Sequence, residues 1–419
     1  MSANTAGQLS RAGLNLICLI GTCVVGCENN TISLCFVDND DDVQISPSGR
    51  AVSFMNSKSY EAILSAPTGA RLALECVVDE FLLRFDSRPE AIVFTLDFED
   101  RFVTMARLMA ERGFELWLSD GTEMSEEEFL RYGVAYQEVL RIVDGLPDPP
   151  ALAFNARFRR LERGIGTSSV KGCSWLCPEY LRGYVFLPTK EQLVAGRFLH
   201  EFAHFWGGGL AGPPALKAQL DRYKGHWGFS SVGGLLGGWY PGSLAPRGEG
   251  LFHADVKPAG RGVNRSAYAP LELYLMGLAG PDEVPPIQVA VGVERLGETE
   301  QGLDVFAAER FETVTIAEII EANGERVPSF ADAPKEYHVA LVVLTDHRLS
   351  DSEWDFYERA MDFLEGPEHE QLLDVFLPEQ YPGQHEVWEA FSGLSEAPYL
   401  NFAGTTGDRG KLRFEATRE

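Results

Sequence analysis

The segment Leu199-His200-Glu201-Phe202-Ala203-His204 constrains this chain more than any other stretch of it. It fits the pattern H-E-x-x-H, which acquires meaning on a helix, where residues four apart share a face. His200 and His204 then aim two imidazole nitrogens at one point, an arrangement that holds Zn²⁺. Glu201 sits one residue round, beside the metal's open position. A carboxylate there can take a proton from water and pass it to a leaving amine. The run Lys190 to Phe205 predicts a helix: its residues favour one, it has no Pro, and its one glycine is Gly196. Gly207-Gly208-Gly209 ends it just past the second histidine. The pattern points to a metal-dependent hydrolase.

A catalytic zinc takes three protein ligands and keeps a fourth position open. The metzincin spacing needs His or Asp at 210, and Leu210 excludes it. Glu272 is the preferred third ligand, because it is the only carboxylate in the apolar segment Tyr268 to Leu278. Burying a lone carboxylate is costly unless a cation or hydrogen bonds satisfy it. His226, in Gly225-His226-Trp227-Gly228, is the rival ligand, imidazole being an equally good donor. His226 could instead steady a developing oxyanion, a role also open to Tyr274 or Tyr268.

The N-terminus reads as an export signal. Arg11 is followed by an apolar core of 12 residues, Leu14 to Val25. That is short of the roughly 20 residues a membrane-spanning helix needs. Val24-Val25-Gly26-Cys27 looks like a bacterial lipobox, with cleavage before Cys27 and lipid on its thiol. Of the seven cysteines, Cys18 and Cys23 leave with the signal and Cys27 with the lipid. Cys35, Cys76, Cys173 and Cys177 remain, an even number that suggests two disulfides in an exported protein, with Cys173–Cys177 and Cys35–Cys76 the preferred pairing. The net charge of −26 argues against nucleic acid as a partner and against docking on anionic lipid.

Hydrophobic residues make up 45% of the chain, enough for a large core. Four parts are expected: residues 1–26 as signal peptide, 27–55 as lipidated N-terminus and spacer, 56–400 as the catalytic domain, and 401–419 as a C-terminal segment. The Asp-rich run Asp38 to Asp42 lacks the Gly and Glu of a calcium loop and reads as solvated spacer. Periodicity predicts helices over Tyr60–Phe85 (interrupted at Pro67-Thr68-Gly69), Glu99–Arg112, Ser125–Val143, Leu271–Leu278 and Ser352–Leu364. Strands are expected over Ala91–Leu96, Phe114–Leu118, Ala151–Phe158, Gly183–Leu187 and Val339–Leu344, and a strand–helix mixture over Val305–Asn323. Residues 206–263, rich in Gly with Trp206, Trp227, Trp239, Phe229 and Tyr240, read as long irregular structure beside a cleft. The fold class is therefore α+β, a mixed sheet packed on the active-site helix with long Gly/Trp-rich loops.

Several pieces together resemble a group of secreted bacterial metalloprotease-like proteins with a zincin core. They are Arg163 to Gly166, the strand Gly183 to Leu187, His200 to Trp206, His226-Trp227, and Pro270-Leu271-Glu272-Leu273-Tyr274-Leu275-Met276-Gly277-Leu278. The resemblance spans roughly residues 80 to 400. It implies a zincin fold with zinc held by His200, His204 and Glu272. The expected protein is a zinc metallopeptidase of the bacterial cell envelope, acting on a peptide or protein and tethered to a membrane through its N-terminal lipid. The competing expectation is a non-catalytic zincin-like surface lipoprotein that binds peptide or glycan.

Overall fold

The computed structural model describes residues 42–55, 67–98, 153–157, 165–166, 178–194, 196–240, 242–257, 266–299, 302–367, 372–375 and 399–416. Among them, the first half of the chain supplies β1 (Val43–Ile45), β2 (Ala51–Met55), β3 (Ala91–Asp97), β4 (Phe154–Arg157) and β5 (Gly183–Leu187). Short strands follow the H-E-x-x-H segment: β6 (Gly238–Trp239), β7 (Ala245–Gly248), β8 (Leu251–Ala254) and β9 (Val256–Lys257). Next come β10 (Ile287–Val291), β11 (Glu294–Glu298), β12 (Asp304–Ala307) and β13 (Arg310–Val314), and then β14 (Glu336–Thr345) and β15 (Lys411–Phe414).

The main sheet runs β1-β2-β14-β3-β5-β4, with β15 also on β14. Strands β2, β14, β3 and β5 are parallel, while β1 and β4 pair antiparallel at the two ends. Every residue of β3 and β5 is buried, as expected of parallel strands covered on both faces. Their near-continuous apolar sequences, Ala91-Ile92-Val93-Phe94 and Tyr184-Val185-Phe186-Leu187, follow from that position. The α+β class and the mixed sheet expected from the sequence are both present.

The H-E-x-x-H segment forms a helix over Phe198–Ala203, shorter than the expected Lys190 to Phe205. Lys190–Leu193 is a separate 3₁₀ turn. Gly196 lies so close to Gln192 that a Cβ there would collide with its backbone, so the chain turns between the two elements. The motif helix packs against β4 and β5. Phe202 anchors it, meeting Trp206, Tyr337 and Phe402 edge-on at centroid distances of 5.1, 6.0 and 6.0 Å. Burial of one such ring stabilises by about 2–3 kcal/mol. Beneath the helix, the Tyr268 hydroxyl donates to the Leu199 carbonyl at 2.7 Å.

The Gly-rich segment is more ordered than expected. It contains a helix over Pro214–Arg222 and the four short strands β6 to β9. Proline at the first helical turn followed by good helix formers accounts for the helix. Trp206, Trp227, Trp239 and Phe229 are buried rather than presented in loops. Trp239 and Phe229 join Ala254, Val256, Ala290, Val293 and Phe306 in a small second core.

The boundaries also change. Residues 43–55 are not spacer: β2 is buried at four of its five positions and pairs with β14. Residues 401–416 are not a separate tail, because β15 alternates exposed and buried residues and pairs parallel with β14. The elements expected between 99 and 150, the signal and lipobox with Cys27, and Cys35, Cys173 and Cys177 lie outside the described residues, as does the side chain of Cys76. Among the described residues no helix is long and apolar enough to cross a membrane.

Candidate metal centre

His200 lies within the motif helix, and His204 continues its helical backbone as the C-cap (φ −61°, ψ −19°). The two rings therefore share a face, with centroids 5.0 Å apart. A third imidazole joins them from the following loop. Gly208 and Gly225 cross so closely that a Cβ on Gly208 would strike the Gly225 backbone, and both have positive φ. That crossing brings the loop over the end of the motif helix and sets His226 against both histidines, at centroid distances of 5.0 Å to His200 and 4.7 Å to His204. One donor atom from each of His200, His204 and His226 lies within 4.8 Å of the others. This group can hold a metal ion.

The hydrogen bonds set the tautomers. His200 Nδ1 is 2.9 Å from the Leu235 carbonyl, and His226 Nδ1 is 2.6 Å from the Tyr223 carbonyl. A carbonyl only accepts, so each Nδ1 carries a proton, and a neutral ring keeps its lone pair on Nε2. The two Nε2 atoms face one another at 3.0 Å. Two nitrogens at that distance share a proton or a metal cation, since bare lone pairs would repel. Nitrogens on a tetrahedral zinc sit about 3.3 Å apart, given bond lengths of roughly 2.0–2.1 Å. Burial, followed by the charge of neighbouring His226 and Arg197, holds His200 well below the usual histidine range. Burial does the same to His204, aided by His200, His226 and Arg157. Neutral imidazoles are the form that binds metal.

Two residues of β4 brace the motif helix. Asn155 donates its side-chain amide to a Glu201 carboxylate oxygen at 2.9 Å. Arg157, two residues on and so on the same face of the strand, donates to the carbonyls of His204 (3.1 Å) and Gly207 (3.0 Å). Burial lowers the Arg157 pKa from its ordinary value.

Glu272 lies outside the converging donor group, contrary to expectation. It is buried in the helix Pro270–Met276, and its carboxylate is filled by four donors. Trp227 Nε1 and the Leu236 amide reach Oε1, each at 2.8 Å. The amides of Leu235 (3.0 Å) and Ala269 (2.8 Å) reach Oε2. Burial raises its pKa and these four bonds oppose the rise. An isolated buried carboxylate did need partners, but the backbone and an indole supply them. His226 takes the third place in the donor group. Burial raises the Tyr274 pKa, and the charged groups that act on it are Arg326 and Glu325. Tyr268 is committed to the Leu199 carbonyl.

Sequence reasoning missed Asn155, Arg157 and the carbonyls of Tyr223 and Leu235. Asn155 had a signal, a polar residue inside an apolar strand. The carbonyls had none, since every residue carries one. No protein-family model, no curated protein and no solved structure matches this chain. What the site does has to be read from its own geometry.

Proposed function

We propose that this chain is a zinc-dependent peptidase with a zincin-like core. The observation that carries the reading is the convergence of three imidazoles, His200, His204 and His226, the first two kept neutral by burial, with Glu201 between them in sequence. Three histidines are the donor set of a catalytic rather than a structural zinc, because they leave a fourth position for water or substrate. Bound there, zinc supplies Lewis acidity toward a carbonyl and lowers the pKa of its water to about 7. Glu201 accepts a proton from the attacking water and returns it to the leaving amine. Asn155 holds the Glu201 carboxylate in place for both transfers. Support for a peptide as substrate comes from β4, the terminal strand of the main sheet among the described residues. An extended chain pairing with its outer edge runs beside the residues that Asn155 and Arg157 brace.

The proposal includes export and a lipid anchor at Cys27, which makes the cell envelope the site of action and a peptide or protein the partner. Mass spectrometry of native protein should find acylated Cys27 at the N-terminus, and an unmodified Cys27 in a chain that starts elsewhere would end that part.

A second reading is favoured by burial. His200, Glu201 and His204 are 2, 6 and 5% exposed, which suits a closed metal site in a non-catalytic lipoprotein that binds peptide or glycan. One experiment separates the two. The mature chain is assayed for metal content and for cleavage of a peptide library, with and without chelator and beside Glu201→Gln. The peptidase reading expects about one zinc per chain in both proteins and chelator-sensitive cleavage by the wild type alone. Zinc in both proteins with cleavage in neither supports the second reading. Equal cleavage by both proteins refutes the role of Glu201.

A further inference from the structure

We infer that Glu272, although outside the histidine group, is a positioning residue that sets the geometry of the metal site through Leu235 and Trp227. The inference rests on the three histidines being a metal site. Leu235 is the first link. Its amide donates to Glu272 and its carbonyl accepts the His200 Nδ1 proton, so one peptide residue joins carboxylate to imidazole. Trp227, the neighbour of His226, is the second. Its indole donates to Glu272 and its amide donates to the Leu236 carbonyl at 3.1 Å. The same carboxylate thus grips the residues beside two of the three imidazoles.

The intervening turn is built around this grip. Gly234 and Gly237 exchange backbone hydrogen bonds of 3.1 and 3.0 Å, leaving Leu235 and Leu236 at the corner with both amides on the carboxylate. A Cβ on Gly234 would collide with Glu272 Oε2, so the turn lies directly on the acid. At its own helix, Glu272 reaches back to the Ala269 amide. All four partners are donors, so only an acceptor-only carboxylate satisfies the nest. The isosteric amide of glutamine would point its own N–H groups at two of them. Support behind a metal ligand of this kind, when removed, weakens metal binding roughly 10–100-fold.

The test compares full-length wild type with Glu272→Gln by zinc competition and by proton NMR of the imidazole Nδ1–H signals. We expect a roughly 10–100-fold loss of zinc affinity in folded Glu272→Gln. The His200 Nδ1–H signal should shift and exchange faster, while that of His226, held by Tyr223, should move less. A purely structural role would lower the melting temperature and leave the His200 signal and the affinity of the folded protein unchanged, which would overturn the inference. If Glu272→Gln does not fold, Trp227→Phe removes one of the four donors and should weaken zinc binding in the same direction; unchanged affinity in that variant overturns the inference too. A wild type without zinc sinks the metal reading itself, whereas the contrast between the two Nδ1–H signals still decides whether Glu272 governs His200.

Discussion

The helices Phe198–Ala203 and Pro270–Met276 are both short and almost wholly buried, and each carries a glutamate in its first turn. Their carboxylates are held in different ways. Glu272 meets three backbone amides and an indole, a nest made by the fold itself. Glu201 is met by a side-chain amide from β4 and is flanked in sequence by His200. A carboxylate enclosed by fixed main-chain donors stays where it is, and those donors oppose the rise in pKa that burial causes. One steadied by a side chain beside the three imidazoles is the acid that the proposed function uses for proton transfer. The chemistry of the donors, rather than the burial of the acid, distinguishes the two helices.

The sharpest break in this comparison comes from the metal. His226→Ala should lower zinc affinity by more than the roughly 10–100-fold expected of a supporting residue such as Glu272. Titration of both variants with a competing chelator checks the order. If Glu272→Ala lost more affinity than His226→Ala, the roles assigned to them would be reversed.

Next in size are the contrasting effects of the same chemical change at the two acids. Glu201→Gln should cut turnover about 10²–10⁴-fold with little change in unfolding midpoint. Glu272→Gln should lower stability by about 2–4 kcal/mol, because two buried donors lose their acceptor. Parallel denaturant melts and peptide-cleavage assays measure both. A large loss of stability in Glu201→Gln, or none in Glu272→Gln, would erase the distinction between the helices.

Both helices were visible in the sequence, but the role of Glu272 in the second was misread, for one physical reason. His200, Glu201 and His204 declare themselves because their spacing and their chemistry are both local. Strands β3, β5 and β14 declare themselves similarly, through unbroken apolar runs that suit a sheet covered on both faces. Glu272 revealed only that it needed partners. Its partners are the main chain of Leu235, Leu236 and Ala269, and no residue letter marks an amide as free to donate. His226 was equally hard to place, since its approach depends on Gly208 and Gly225 crossing on either side of a helix that the glycine-rich composition concealed. Single-residue patterns show local chemistry, whereas long-range placement depends on turns and backbone groups.

A smaller effect concerns pH. The metal-free protein keeps His200 and His204 neutral, with folded pKa values below the unfolded value of about 6.5. The unfolded chain therefore binds more protons as pH falls through that value, and the native state loses stability toward acid. The slope approaches about 1.4 kcal/mol per pH unit for each histidine. Denaturant melts of metal-free protein between pH 8 and 5 should show this decline, and Glu272→Gln should shift the curve down without removing it. A flat profile would mean that the imidazoles titrate as they do in solvent.

The smallest effect separates the grip of Glu272 into its parts. Trp227→Phe removes the indole N–H, which is 2.8 Å from Oε1, together with the pyrrole part of a fully buried side chain. The Leu236 amide still donates to the same oxygen, and the Leu235 and Ala269 amides hold the other. No donor is stranded, so the lost hydrogen bond should cost about 1 kcal/mol, to which the cavity left by the smaller ring adds. The asymmetry follows from which side of the bond is removed: losing one of four donors leaves the acid satisfied, whereas losing the acid strands several donors at once. Trp227→Phe and Glu272→Gln should also combine to less than the sum of their separate effects, because both act on one network. A double-mutant cycle on unfolding free energy measures that coupling. Strict additivity would show that the indole and the carboxylate act independently, and that the second helix supports the site by packing alone.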